Sequence, residues 1–357
     1  MSNRRDERRR AALAVVAPGT AIRDGLERIV RGHTGALIVL GYDDVVRDIC
    51  SGGFELGAEF SATRLRELAK MDGAIVLDRA GRTILRAAVQ LVPDPKLPTQ
   101  ESGTRHRTAE RVARQTRLPV ITVSKSMSVI AVYDDHGERH VLEDSATLLA
   151  RAHQALATLE RYKRRLDEAT GVLSGLEIED RVTLRDVASV AQRLEMASRM
   201  ADEISGHLVE LGTDGGLLTL QLNELTAGGG QDREYLVRDY APPGPVDSGT
   251  QLSDRLACLS ADELLDMAAV AAVVRPGLAD DLDQPVSPRG YRLLGRIPRL
   301  DPGASERLIA HFGGLQKLLS ASAADLRQVP GVDATQATRV REGLSRLAEA
   351  TLLDRYA

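Results

Sequence analysis

The sequence predicts three successive structures: an α/β domain with a mixed sheet over residues 1–147, an all-α spacer over 148–285 and an all-α tail over 286–357. Three observations carry this. Segments of helical spacing alternate with short apolar runs up to residue 147, helical periodicity is nearly unbroken from Ser145 to Leu225, and the tail contains an internal repeat 32 residues apart. Charge follows the same divisions. The blocks carry net charges of +3, −11 and +4 within a total of −4, so an acidic middle separates two mildly basic ends, as three segments with different partners would.

The start, residues 1–10, is Arg-rich and precedes the apolar run 11–17, which imitates a leader peptide. That run ends at Pro18-Gly19, and Asp6 and Glu7 sit among the arginines, so it reads as a first helix of the folded domain. Residues 22–30 and 64–71 have helical spacing, with Ser61 and Thr63 offering the second a cap. The apolar runs 36–40, 74–77, 84–91, 120–123 and 129–133 read as strands, several buried on both faces. Asp134-Asp135-His136-Gly137 turns the last of these into a hairpin with 139–142.

In the middle, Ala152, Leu159, Leu166 and Leu173 recur every seven residues, but Lys163 and Thr170 interrupt the second row of the seam. Two heptads fall short of a coiled coil, so the segment reads as a packed helical spacer. Gly228-Gly229-Gly230 has no following Lys-Ser/Thr and reads as a turn rather than a phosphate loop. Residues 241–245 and 275–277, rich in Pro and Gly, read as a linker and a helix stop. In the tail, Leu294, Ile297-Pro298-Arg299-Leu300-Asp301 and Arg307-Leu308 recur as Leu326, Val329-Pro330-Gly331-Val332-Asp333 and Arg339-Val340. Each copy is a helix end, a tight turn and a new helix. Cys50 and Cys258 form no metal-ligand or disulfide pattern, and no apolar run approaches the ~20 residues that cross a bilayer. A soluble, cytoplasmic protein is expected.

The chemistry concentrates at Gly103-Thr104-Arg105-His106-Arg107-Thr108, which runs directly into the amphipathic stretch 109–114. Free N–H groups at a helix start, two guanidinium forks and an imidazole form a site for a polyanion. Earlier, Met71-Asp72-Gly73-Ala74 opens a strand with a carboxylate able to hold a divalent cation beside phosphates. An Asp before a buried strand more often serves as a cap, and Arg111 and Arg114 read as a solvated helix face. That bland reading covers Arg105-His106-Arg107 poorly, because three like charges crowd one helix start. His136 and His140 flank a turn and read as surface histidines.

At these motifs the chain resembles the DisA family of diadenylate cyclases, along its whole length and in order: cyclase domain, helical spacer and tandem helix-hairpin-helix tail. Asp72-Gly73-Ala74 and Arg105-His106-Arg107 stand where that family carries its D-G-A and R-H-R signatures. The resemblance implies condensation of two ATP into cyclic di-AMP and two pyrophosphates. It implies Asp72 as the ligand of Mg²⁺ or Mn²⁺, and Gly73, Leu91, Thr104, Arg105, His106, Arg107, Thr108 and Ser124 around the ATP, with Arg105, His106 and Arg107 catalytic beside Asp72. Since one site holds one ATP, two sites must face each other. A homo-oligomer follows, an octamer by the family pattern.

A helix-hairpin-helix turn usually has two glycines, which let its N–H groups approach a DNA phosphate. Here Gly331 is kept, Asp333 replaces the other, and Arg299 and Asp301 replace both in the first copy. DNA binding, preferring branched duplexes, would then rest on Gly331, Arg339, Arg341 and Arg346, with Arg299 as a substitute contact. Other readings stay open: a DNA-junction binding protein with ATP as a regulatory ligand only, another nucleotidyltransferase or kinase, and a tail that binds protein.

Overall fold

The structure, a computed structural model, describes residues 2–242 and 248–354, so the expected linker at 241–245 lies partly outside the described residues. Two compact units are present: Met1–Ala155 with Glu203–Gln221, and Leu156–Asp202 with Leu222–Ala357.

The first unit is built on eight strands: β1 (Ala36–Leu40), β2 (Cys50–Ser51), β3 (Phe54–Glu59), β4 (Ala74–Leu77), β5 (Thr83–Leu91), β6 (Val120–Ser124), β7 (Val129–Tyr133) and β8 (Arg139–Val141). Their order is β2-β5-β4-β1-β6-β7-β8, with β3 also on β5. β1 and β4 are parallel and every other pair is antiparallel, so the sheet is mixed as expected.

The apolar runs are unbroken because the sheet is covered on both faces. Ile38, Leu40, Ile75, Leu77, Ile121 and Val123 pack with residues of α1 (Ser2–Val15), α2 (Ala21–Arg31) and α4 (Ala62–Leu68). Their alternates Leu37, Val39, Ala74, Val76 and Val120 pack with α3 (Asp44–Ile49) and α5 (Thr104–Thr116). Each such side chain contributes about 1.5–3 kcal/mol by leaving water. Ser61 caps α4 by accepting from the Arg64 N–H, though that helix stops at Leu68. Three elements, α3, β2 and β3, had no counterpart in the sequence reading.

Helices α6 (Ser145–Glu179), α7 (Leu184–Leu211), α8 (Gly216–Thr226), α9 (Gly229–Tyr240), α10 (Ser248–Cys258), α11 (Ala261–Leu265) and α12 (Met267–Val274) follow. Ala152, Leu159, Leu166 and Leu173 are all buried. In the second unit, Leu166 and Leu173 join Leu184, Val187, Ala191 and residues of α9 and α12 in one core. Gly228 takes φ 80° in the turn that starts α9, while Gly229 and Gly230, expected in the same turn, are already the first residues of the helix.

The tail comprises α13 (Tyr291–Gly295), α14 (Pro302–Phe312), α15 (Leu315–Ser320), α16 (Ala323–Leu326) and α17 (Ala334–Asp354). Repeat partners Leu294 and Leu326, Ile297 and Val329, and Leu308 and Val340 share a single core, so the two copies bury each other's apolar faces.

Candidate active site

Strand register decides which residues meet. Ile38 pairs with Ile75 in the parallel pair, and Ala36 pairs with Val123 in the antiparallel pair. The first residues of β1 and β4 and the last of β6 therefore lie at one end of the sheet. Asp72 and Gly73 precede β4 there, and Ser124 closes β6. Ala74 faces Val89, which places Leu91, at the end of β5, on the same side. Because α5 leads into β6 through its C-terminal end, its first residue Thr104 also lies at this end.

Gly73 is held at φ 107° where an added Cβ would sit 2.6 Å from the Ala88 carbonyl carbon and 2.9 Å from the Val89 nitrogen. No side chain fits that space. Asp72 beside it is exposed, and among the described residues its carboxylate joins no hydrogen bond or ion pair. It caps no element.

Gly103 begins α5 without a side-chain cap, and the first backbone bond of the helix is from Arg107 N–H to the Gly103 carbonyl (2.8 Å). The N–H groups of Thr104, Arg105 and His106 are thus left for another acceptor. Thr104, Arg105 and Arg107 are exposed, and neither guanidinium group makes a hydrogen bond or ion pair among the described residues. The Arg105 guanidinium lies over Gly35, where an added Cβ would be 2.3 Å from Nη1. Thr108 donates through Oγ1 to the Thr104 carbonyl (3.0 Å). Ser124 is buried, with its Oγ 3.4 Å from Ser126 Oγ and accepting from the Met127 N–H (3.4 Å).

His106 turns away from the two arginines. Its Nδ1 lies 3.0 Å from Tyr133 Oη and 3.3 Å from Thr122 Oγ1, both on fully buried residues. Tyr133 donates to Glu101 Oε1 (3.0 Å), which also faces Arg139 Nη1 at 3.6 Å. Burial, and then the nearby Arg139 charge, hold the His106 pKa below its ordinary value. The lowered pKa of the middle group lessens the crowding of three positive charges inferred from the sequence. Glu101, Thr122 and Tyr133 had no motif to announce them.

Arg111 and Arg114 are not a solvated face. Arg111 Nε donates to the Leu97 carbonyl (2.9 Å), and Arg114 Nη1 donates to that of Pro98 (2.8 Å). Buried Glu110 accepts from Thr99 Oγ1 (2.5 Å) and the Gln100 N–H (3.1 Å), and pairs with Arg114 at 2.7 Å. These contacts hold the segment 92–103 that delivers the chain to the start of α5. His140 is not a surface histidine either, because its Nε2 lies 3.3 Å from the buried Asp134 carboxylate.

In the tail, Arg299 adopts φ 60° and Gly331 φ 78°, so both turns share one left-handed backbone. Asp301 and Asp333 accept from the N–H groups of Ala304 (3.0 Å) and Gln336 (2.7 Å), capping α14 and α17. Helix capping explains their presence at positions where glycine was expected. Arg307 donates to the Gly331 carbonyl (3.0 Å) and Arg339 to that of Arg299 (2.7 Å). These are equivalent positions 32 residues apart, so each repeat clamps the other's turn. Arg299, Arg339 and Arg346 line one open groove. Arg341 lies apart from it, bonded to the Leu319 carbonyl (2.9 Å).

Residues 23–137 match the family described as DisA bacterial checkpoint controller nucleotide-binding, and residues 142–279 match the DisA bacterial checkpoint controller linker region. DNA integrity scanning protein DisA of Acidothermus cellulolyticus is 61% identical over 354 residues, covering 98% of this chain and 96% of its own length. The protein of that name from Frankia alni is 63% identical over 349 residues, covering 97% of each, and that of Streptomyces coelicolor 59% over 351, covering 97% and 94%. No helix among the described residues is long and apolar enough to cross a membrane. The chain belongs to the family of the DNA integrity scanning protein DisA, a family of diadenylate cyclases.

Proposed function

We propose that the chain joins two ATP molecules into cyclic di-AMP with release of two pyrophosphates, and that DNA held by the tail regulates the reaction. One observation carries the first part. At a single end of the sheet, an uncommitted carboxylate on Asp72 meets an uncapped helix start bearing two uncommitted guanidinium groups, Arg105 and Arg107. Arginine forks and helix N–H groups suit phosphate oxygens, and a free carboxylate suits a hard cation.

In this reading each ribose 3′-hydroxyl oxygen forms a bond to the α-phosphorus of the other ATP. The bond from that phosphorus to the α,β-bridging oxygen breaks, pyrophosphate leaves, and the hydroxyl proton is released. Thr104 to Thr108 hold the triphosphate, Gly73 and Leu91 shape the nucleotide pocket, and Ser124 closes it beside the end of β6. Asp72 would hold Mg²⁺ or Mn²⁺, which supplies charge neutralisation on the phosphates. Positioning and charge neutralisation are the protein's main tasks in such transfers. One ATP per chain requires two chains face to face, within a larger homo-oligomer that the family pattern makes an octamer.

For the tail, the paired left-handed turns and the groove lined by Arg299, Arg339 and Arg346 support a tandem helix-hairpin-helix domain that binds duplex phosphates, with a preference for branched DNA. Gly331 sets one turn, and Arg341 lies outside the groove.

Asp72→Asn keeps the size of the side chain and removes its charge, so product formation should be nearly abolished while ATP binding persists. Normal turnover by the variant at saturating metal would overturn the site. ATP binding without turnover by the parent chain would favour ATP as a regulatory ligand. Gel shifts with junction and linear DNA at matched salt, using Gly331→Glu as the comparison, test the tail. Equal affinity for both DNAs removes the branched preference, and unchanged binding by the variant removes the turn as a contact.

A further inference from the structure

The hydrogen-bond chain behind α5 fixes where the protons of His106 reside. Tyr133 has one hydroxyl proton and donates it to Glu101 Oε1 (3.0 Å). Its oxygen must therefore accept from His106 Nδ1 at 3.0 Å, since two lone pairs would otherwise face each other. Thr122 Oγ1, 3.3 Å from the same nitrogen, shares that proton as a second acceptor. The neutral ring thus carries hydrogen on Nδ1 and a lone pair on Nε2, a tautomer assigned by the network around it. The Nε2 edge faces the other way: the adjoining Cδ2 lies 3.5 Å from where a Cβ on Gly103 would sit, at the uncapped start of α5. Among the described residues Nε2 has no partner.

We propose that Glu101 and Tyr133 are positioning residues that orient His106 so that a bound polyphosphate brings one proton onto Nε2, turning the imidazole into a donor only while ligand is present. The inference rests on the reading of the α5 start as the triphosphate site. The groups facing the ring come from every neighbouring element: Thr122 on β6, Tyr133 on β7, Arg139 on β8, Glu101 on the segment before α5, and Arg105 on α5 itself. Burial and the charges of Arg139 and Arg105 outweigh Glu101 and lower the pKa of the ring. A polyphosphate beside Nε2 reverses that balance, because a nearby anion favours the charged form. Neutrality in the free protein also spares the helix start a third positive charge.

The test is calorimetric titration of the full chain with 3′-deoxyadenosine triphosphate and Mg²⁺ at pH 7 in buffers of different ionisation enthalpy. This probe lacks the attacking hydroxyl, so binding is read without turnover. The slope of binding enthalpy against buffer ionisation enthalpy counts protons taken up, and about half a proton or more per chain is expected for a histidine crossing its titration range. His106→Gln should bring the slope close to that of the nucleotide alone. Tyr133→Phe keeps the ring and should lower the slope while raising Kd about tenfold, as loss of a hydrogen bond to a charged group implies. Glu101→Gln, on a loop, should act in the same direction and stands in should Tyr133→Phe fail to fold. A merely structural role would change Kd and leave the slope alone, and that result overturns the inference. So does binding by the parent chain with zero slope. Absence of any nucleotide binding would overturn the triphosphate site itself, and this inference with it.

Discussion

Gly73→Ala tests how the sheet holds the carboxylate of Asp72. The backbone there is at φ 107°, a conformation that costs a side-chain-bearing residue about 1–3 kcal/mol. The new methyl would also lie 2.6 Å and 2.9 Å from backbone atoms of Ala88 and Val89, which are fixed in β5 and cannot swing aside. Forcing a methyl into such a place adds about 1–3 kcal/mol. Gly52→Ala separates the two contributions. Gly52 sits at φ 64° with nothing within 4 Å of an added Cβ, so only the backbone cost of about 1–2 kcal/mol applies. The gap between the variants should be about 2 kcal/mol, or about 4–8 °C in the transition of a unit this size. Scanning calorimetry of both full-length variants measures it, and ATP turnover should fall more in Gly73→Ala. If Gly73→Ala destabilises no more than Gly52→Ala, the close approach to β5 is not what holds this turn.

Three further outcomes follow from other parts of the structure. Burial pushes the Asp134 pKa up, but hydrogen bonds from His140 and from the N–H groups of Glu138 and His136 outweigh it and hold the value at about 2. A folded pKa below the unfolded one stabilises above about pH 4, so about 2 kcal/mol should be lost between pH 4 and 2, a loss that Asp134→Asn would not show in acid denaturation. Arg299→Gly should leave thermal stability level or up to about 1 kcal/mol higher, by relieving the left-handed residue, while weakening DNA binding in gel shifts; a clear loss of stability would mean the turn is unstrained. Replacing Arg105 and Arg107 together by Ala should weaken ATP binding about 100-fold or more, with adenosine little affected, and equal losses for both ligands in calorimetry would place the phosphate clamp elsewhere.

Much of this was legible in the chain because burial on both faces leaves a plain signature. The runs of β1, β4 and β7 are apolar throughout or nearly so, β6 is broken only by Thr122 before Ser124 closes it, and the structure places all four within two residues of the sequence reading. What was missed lacks that signature. β3 is an edge strand exposed along most of its length and has no apolar run; the alternation of Phe54, Leu56 and Ala58 with Glu55, Gly57 and Glu59 was its one readable signal, short and interrupted by Gly57 at φ 56°. Helix α3 is only six residues long, though its cap, Asp43 accepting from the Val46 N–H, is of a readable type. At the site, the motif identified Arg105, His106 and Arg107 but not their directions. Tyr133 and Glu101 are distant in sequence, and only the folded sheet brings them beneath α5. Arg111 and Arg114 were misread because, besides the Glu110 partner of Arg114, they donate to carbonyls of a segment with Pro93, Pro95 and Pro98, which forms no ladder to satisfy them. The tail repeat was plain in sequence, but the exchange of Arg307 and Arg339 between turns becomes visible only when the copies stand together.

The most direct measurement is chromatography of ATP incubated with the purified chain and Mn²⁺ or Mg²⁺, with no added acceptor and with pyrophosphate assayed in parallel. One cyclic di-AMP is expected for every two pyrophosphates, at a rate per chain that falls on dilution through the range where chains separate. Unchanged ATP, a product formed only with an added acceptor, or a rate per chain that stays constant in a monomeric preparation would contradict that expectation.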